Sequence, residues 1–324
     1  MKPLIDWFSI SFKTLKNLDC FFKWFHLDIS EFKPVAGHWN YRYGLWQNGV
    51  VIYYTITQDS TGKEYYDICL NLSGSGCRRY ESIRGNNFDW LIFYESILKT
   101  FGNQCINVSR VDLALDVKDN TVPDMLKIIK LIDEHKYITQ FRRVVTGRGS
   151  EEWAYFGSPK SDTRLRIYNK AIERGFKDEK WIRFEYQFRN EAADRFLNHY
   201  VHCRNVGQCF KDFVSKSVTF TTKPNMPTGK DSFNHHTDRL NPVRWWVEFV
   251  KGAGEITKLE VVGEEYNYTA LKKYIELQAA PSLLTFVKAN GNSLSALWEI
   301  IQKQEDRLNE KQKQVIRERQ KCLD

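Results

Sequence analysis

Apolar and polar residues alternate most sharply in Arg164-Leu165-Arg166-Ile167-Tyr168-Asn169-Lys170. Leu165 and Ile167 fall on one side of an extended chain, and Arg164, Arg166, Tyr168 and Lys170 on the other. A period of two predicts a strand with one face in a core. Residues 108–117 repeat the pattern, with Val111, Leu113, Leu115 and Val117 opposite Arg110, Asp112, Ala114 and Asp116. Residues 181–189 do so again, with Ile182, Phe184, Tyr186 and Phe188 opposite Arg183, Glu185, Gln187 and Arg189. Residues 5–12 also alternate, which assigns Asp6 to the side of Phe8, Ile10 and Phe12. Residues 50–58 and 64–72 are rich in β-branched and aromatic residues and predict a hairpin, with Ser73-Gly74-Ser75-Gly76 as the turn that ends it. Residues 141–146 and 152–156 are further candidate strands.

Helical periodicity appears over 88–100, 122–135 and 190–210 and dominates after residue 242, over 243–251, 269–277, 281–289 and 293–320. In the last stretch Leu294, Ile301, Leu308 and Val315 recur every seven residues, but the partner position runs Leu297, Gln304, Lys311. A helix packed on its own domain is therefore favoured over a coiled coil. Residues 222–238 are polar, hold two prolines and lack periodicity. The 324 residues exceed one average domain. The expected organisation is a catalytic domain over 1–225, a linker or loop over 226–240, and a mostly helical region over 241–324 for DNA binding or oligomerisation. The fold class predicted is α+β.

The net charge of +8 makes polyanions candidate partners. Aromatic residues reach 15%, with ten Trp. Most are expected in the core, and the rest are available to stack on unpaired bases. The seven cysteines include no Cys-x-x-Cys pair, which excludes a zinc ribbon, and their odd count argues against a disulfide framework. The N-terminal residues lack a signal-peptide pattern, and no apolar run approaches the ~18 residues of a membrane span. The expectation is a soluble cytoplasmic protein with no membrane partner.

The candidate chemistry lies on the polar sides of the three alternating strands. A tyrosine hydroxyl among Arg164, Arg166 and Lys170 is set to meet phosphate, either as a contact or as a nucleophile. Arg166 and Lys170 would favour its phenolate. Asp112 and Asp116 lie ~13 Å apart along an extended strand, too far to share one ion without a bulge, and Asp112 is the favoured ligand. Asp112, Glu185 and Tyr168 together would give an oxygen-rich site suited to Mg²⁺ or Mn²⁺ rather than zinc. Arg110, Arg164, Arg183 and Arg189 are candidate DNA contacts, with cross-strand ion pairs as their simpler use. Gly229-Lys230 lacks the upstream glycine of a phosphate loop. His199 and His202, and the adjacent His235 and His236, read as surface histidines.

These residues form an ordered set: Asp6-Trp7-Phe8-Ser9-Ile10, Leu72-Ser73-Gly74-Ser75-Gly76-Cys77-Arg78, Ser109-Arg110-Val111-Asp112-Leu113-Ala114-Leu115-Asp116, Gly157-Ser158 with Arg166-Ile167-Tyr168-Asn169-Lys170, and Arg183-Phe184-Glu185. The set resembles the replication initiation factor family over residues 1–220. That family includes rolling-circle initiators of plasmids, relaxases of conjugative elements and replication proteins of filamentous phages. The resemblance implies a central antiparallel sheet with flanking helices, related to other rolling-circle nucleases but with carboxylates where those use histidine pairs. It implies a divalent-metal-dependent nickase and strand transferase that stays joined to the 5′ phosphate through tyrosine. By motif, that tyrosine is Tyr168, and the acidic ligands are Asp112, Glu185 and Asp116. Origin DNA, as a single strand or hairpin at the nick site, is the implied partner. A host helicase and a second copy of the chain are further candidates. The competing readings are a non-catalytic sequence-specific DNA-binding regulator on the same scaffold, and a single-strand binder that uses exposed aromatics.

Overall fold

The computed structural model describes residues 1–176, 179–225, 240–260, 268–308 and 310–320. Two compact units divide the chain, Met1–Gly263 and Glu264–Asp324. The first contains β1 (Lys2–Leu15), α1 (Leu18–Trp24), β2 (Lys33–Ala36), β3 (Tyr43–Gln47), β4 (Val50–Gln58), β5 (Glu64–Leu72), α2 (Gly74–Arg84), α3 (Trp90–Phe101), β6 (Ile106–Val117) and α4 (Met125–Asp133). It continues with β7 (Tyr137–Thr139), β8 (Val144–Gly147), β9 (Trp153–Phe156), β10 (Thr163–Asn169), α5 (Lys170–Glu173), β11 (Ile182–Arg189), α6 (Glu191–Cys203), α7 (Val206–Ser217), β12 (Val218–Phe220) and α8 (Arg244–Gly254). The second holds α9 (Tyr268–Tyr274), a π-helical turn Ile275–Ala279, α10 (Ala280–Ala289), α11 (Leu294–Gln302) and α12 (Glu310–Gln320).

Ten strands form one sheet in the order β2-β3-β4-β5-β1-β6-β11-β10-β9-β8, and every pairing is antiparallel. This is the predicted α+β fold with a helical C-terminal region. One face of the sheet is apolar. Phe8, Phe12, Leu113, Phe184, Phe188 and Ile167 are all buried there. Helices cover them ring on ring: Phe93 of α3 lies 6.1 Å from Phe8, Phe196 of α6 stacks on Phe188 at 4.5 Å, and Phe249 of α8 lies 4.3 Å from Phe184. Each such ring contributes roughly 1.5–3 kcal/mol by leaving water. The core therefore pins which edge of every strand faces outward, because a one-residue slip would turn the rings to solvent.

Several boundaries differ from the sequence expectation for local physical reasons. In β1 the register against β6 shifts between Ile5 and Trp7, so Asp6 is an extra, bulged residue. Phe8, Ile10 and Phe12 are in the core as expected, but Asp6 turns to the opposite, polar face and meets Arg183. Ser73–Gly76 does more than end a strand, because α2 begins at Gly74. β10 stops at Asn169, whose side chain accepts from Ile172 N and caps α5, so Lys170 leaves the strand alternation. The helical stretch 190–210 is two helices, divided where Arg204 adopts φ +52 and Asn205 caps α7. The expected helix 293–320 is interrupted by a 3₁₀ turn at Glu305–Arg307, which breaks the heptad.

The expected linker falls almost wholly on 226–239, outside the described residues. Residues just beyond it do not open a separate helical region. Trp246, Phe249 and Ala253 of α8 are buried in the first unit, and the Gly207 N–H donates to Ile256 O at 2.8 Å. No helix among the described residues is long and apolar enough to cross a membrane.

Phe249→Ala is expected to destabilise the first unit by about 3–5 kcal/mol, as a core cavity does. Leu294→Ala, at a 69% exposed position of α11, should change stability by less than about 0.5 kcal/mol. Thermal melts of both variants check this; equal shifts would remove α8 from the core.

Candidate active site

The polar face of β6, β11 and β10 carries a chain of charges set by strand register. Arg183 lies across from Asp116 on one side and Tyr168 on the other, and Glu185 lies across from Arg166. Arg183 donates from Nε and Nη2 to both oxygens of Asp116 at 2.6 and 2.8 Å, and its Nη1 lies 2.9 Å from Asp6 Oδ2. Arg110 donates to both oxygens of Asp112 at 2.9 and 2.6 Å, with its guanidinium 3.8 Å from the Trp7 ring centroid. Arg166 Nη2 bridges two carboxylates, donating to Asp112 Oδ2 at 3.3 Å and to Glu185 Oε1. The Tyr168 hydroxyl donates to Glu185 Oε2 at 2.8 Å. The expected triad of Asp112, Glu185 and Tyr168 is thus brought together, with Arg166 at its centre.

Burial sets the protonation of this group. Desolvation pushes the Tyr168 phenol above its usual value; Arg183 and Arg166 oppose this, while Asp6 and Glu173 add to it. Arg166 does pull the phenol toward phenolate, as expected, but burial is the larger effect and leaves it above its usual value. Lys170 is pushed down by burial and then by Arg183; it pairs with Glu173 at 2.7 Å, and its Nζ sits 5.5 Å from the Tyr168 ring centroid. Asp112 is pushed up by burial, with Arg110 and Arg166 pulling the other way. Burial works against the Arg183 charge, but its bond to Asp116 and the field of Asp6 outweigh that and raise it.

Other expected residues land differently. Asp116 has both oxygens engaged by Arg183 and stands apart from the Asp112–Glu185 pair as an ion-pair partner. Arg183 is buried between carboxylates, so it holds the site together and is not turned toward DNA. Arg164 lies 4.4 Å over the Tyr155 ring, and Arg189 donates to Pro159 O at 2.7 Å. His199 is half-exposed and its Nε2 lies 2.9 Å from Asp212. The ligand atoms of His199, Cys203 and Cys209 lie within 4.8 Å of one another, and none of the three lines the site's clefts.

Two clefts open on the charged face. One, of about 290 Å³, is lined by Asp6, Trp7, Ser75, Arg110, Arg166 and Glu185 among others. Gly74 and Ser75 bring the N-terminal end of α2, with its partial positive charge, to its wall. The second, of about 230 Å³, is lined by Glu151, Glu152, Trp153, Tyr155 and Asn169. Both share Arg166, Tyr168 and Glu173. Sequence reasoning missed Asp6 because the bulge is invisible to an unbroken alternation. Trp153 and Tyr155 were findable, since they alternate with the core residues Ala154 and Phe156.

A wide antiparallel sheet, apolar beneath helices and bearing a buried tyrosine–carboxylate–arginine cluster on its other face, defines an α+β protein with a charged cleft on the open side of its sheet. Residues 106–310 match the family model for the replication initiation factor, and residues 2–96 match that for the rolling circle replication initiation protein N-terminal domain. The first match spans more than half of the chain, and the chain belongs to the replication initiation factor family. The solved rolling circle replication initiator protein from Geobacillus stearothermophilus is similar at a TM-score of 0.64 with 21% identity, over 81% of this chain and 99% of that one. It shows the same fold. A comparison with curated proteins finds no match.

Because burial raises the Tyr168 phenol, its proton should persist through pH 10, where an ordinary tyrosine is half ionised. The ultraviolet phenolate difference between wild type and Tyr168→Phe should therefore stay flat to that pH. A difference rising with a midpoint near 10 would contradict the buried geometry. Arg183→Met leaves Asp6 and Asp116 without their shared cation and should cost about 3–5 kcal/mol at neutral pH. Denaturant titration of the variant against wild type reads the loss directly.

Proposed function

We propose that this initiator nicks one DNA strand at a replication origin by attack of Tyr168 on the scissile phosphate, and later rejoins it. The observation that carries this reading is the 2.8 Å hydrogen bond from the Tyr168 hydroxyl to Glu185 inside a cleft lined by Arg166 and Arg110. A buried phenol that holds its proton needs a base at the moment of attack, and Glu185 Oε2 is in place to accept it. As the Tyr168 oxygen bonds to phosphorus, the bond to the 3′ oxygen breaks, and that oxygen leaves with a proton from solvent. The 5′ phosphate then remains as a phosphotyrosine diester. In rejoining, a 3′ hydroxyl gives its proton to solvent as its oxygen attacks that diester, the bond from phosphorus to the Tyr168 oxygen breaks, and Glu185 returns the proton to the departing phenolate. Arg166 and Arg110 favour the negative charge that builds on the phosphoryl oxygens.

The donors fit a hard divalent cation. Asp112 Oδ2 and Glu185 Oε1 already converge on one positively charged atom, Arg166 Nη2, and carboxylate oxygens suit Mg²⁺ or Mn²⁺. Asp112 and Glu185 would hold the ion, which would polarise the scissile phosphate. On this reading the substrate is a single-stranded or hairpin segment of origin DNA in the cytoplasm of a bacterial host. A host helicase would open the duplex ahead of the displaced strand. The helical unit after residue 263 would serve origin recognition or pairing with a second copy.

The test is formation of a protein–DNA adduct, read on a denaturing gel, with labelled origin DNA from the parent replicon and Mn²⁺. Wild type should form the adduct and chelator should prevent it. Tyr168→Phe should form none while still binding DNA. Glu185→Gln, which keeps the shape and removes the base, should slow it by about 10²–10⁴-fold. DNA binding without an adduct under any divalent metal would replace this reading with that of a sequence-specific DNA-binding regulator.

A further inference from the structure

The cleft on the β9 side of Tyr168 has a lining that the nicking chemistry does not use. Trp153 and Tyr155 alternate onto the polar face of the sheet, where register sets Trp153 beside Tyr168 and Tyr155 beside Arg166. Their rings stack at 4.4 Å with 15° between planes, and the Arg164 guanidinium lies 4.4 Å from the Tyr155 ring centroid. Both residues are only half-buried. The indole lies against β8 at Gly147, where any Cβ would collide with it. Gly147 thus leaves the room that the indole occupies. The result is a row of two aromatic planes and one guanidinium plane along the wall of a cleft of about 230 Å³ that contains Tyr168.

Charge decides what such a wall takes. Glu151 and Glu152 line this cleft and not the other, and their carboxylates disfavour phosphate there. An uncharged planar group meets no such penalty, and stacking on an aromatic ring serves every base. We propose that Trp153, backed by the stacked Tyr155 and Arg164, provides a stacking slot for one unpaired nucleobase adjoining the scissile phosphate. This site rests on the nicking reading for its substrate. The phosphate of that nucleotide lies toward Arg166, and its base extends the stack from the Trp153 indole. The slot holds the strand unpaired at the nick and adds affinity without hydrogen-bonded readout.

The experiment scans an abasic residue through each position flanking the nick in a single-stranded origin oligonucleotide. It measures equilibrium binding to Tyr168→Phe protein and adduct formation by wild type. One flanking position should weaken binding by roughly 5- to 150-fold when abasic. Trp153→Ala should weaken binding of the intact oligonucleotide by a similar factor, and the two losses should not multiply. Trp153→Phe should keep most of the affinity, and Gly147→Val, which retains the indole but displaces it by collision, should lose it. Thermal melts show whether each variant folds, and Trp153→Phe carries the test if Trp153→Ala does not. If adducts form but the two losses multiply, or no position responds, the slot is overturned while the nicking reading stands. If no adduct forms yet the coupling between Trp153 and one base persists in binding, the slot stands and the nicking reading falls.

Discussion

Glu185 is the interaction on which the site depends. It is 1% exposed, and a carboxylate at that depth is stable only if its charge is met from several sides. One oxygen meets Arg166 and the other accepts the Tyr168 proton. Arg166 is in turn shared with Asp112, which Arg110 grips with two further bonds. Removing Arg166 or Arg110 would leave a buried carboxylate short of its partner. On the nicking reading this network positions the phenol, and burial favours its protonated form until a base takes the proton.

The ion pairs divide into two groups with different work. Arg183 locks Asp116 and Asp6 together along the base of the sheet, ties β1, β6 and β11 to one another, and presents nothing to solvent. Arg110 and Arg166 border a cleft and remain partly exposed, so a phosphate can reach them. The apolar face enforces this division. Rings from α3, α6 and α8 fill every second position of the strands, and the remaining positions have no other way to point.

Period-two alternation made the central strands legible. β6, β10 and β11, with the faces of Asp112, Glu185 and Arg166, follow from the order of apolar residues alone. The features that escaped are those where backbone geometry overrides alternation. A bulge at Asp6 moves a carboxylate across the sheet, and an Asn169 cap turns Lys170 out of its strand. The β3–β4 hairpin was missed although Asn48-Gly49, both at positive φ, is the dipeptide that a two-residue turn favours. The apolar stripe of α8 was visible as a helix, but what it covers was not, because Trp246 and Phe249 meet Phe184 across more than sixty residues of chain. Nor could sequence alone show that burial, rather than the nearby cations, governs the Tyr168 proton.

The most direct measurement of the central claim is the mass of the tryptic peptide that carries DNA after reaction with origin oligonucleotide. Cleavage after Arg166 and Lys170 isolates Ile167-Tyr168-Asn169-Lys170. The account predicts that this four-residue peptide gains a nucleotide through its 5′ phosphate, on Tyr168. A nucleotide on any other peptide, or one joined through its 3′ phosphate, would contradict it.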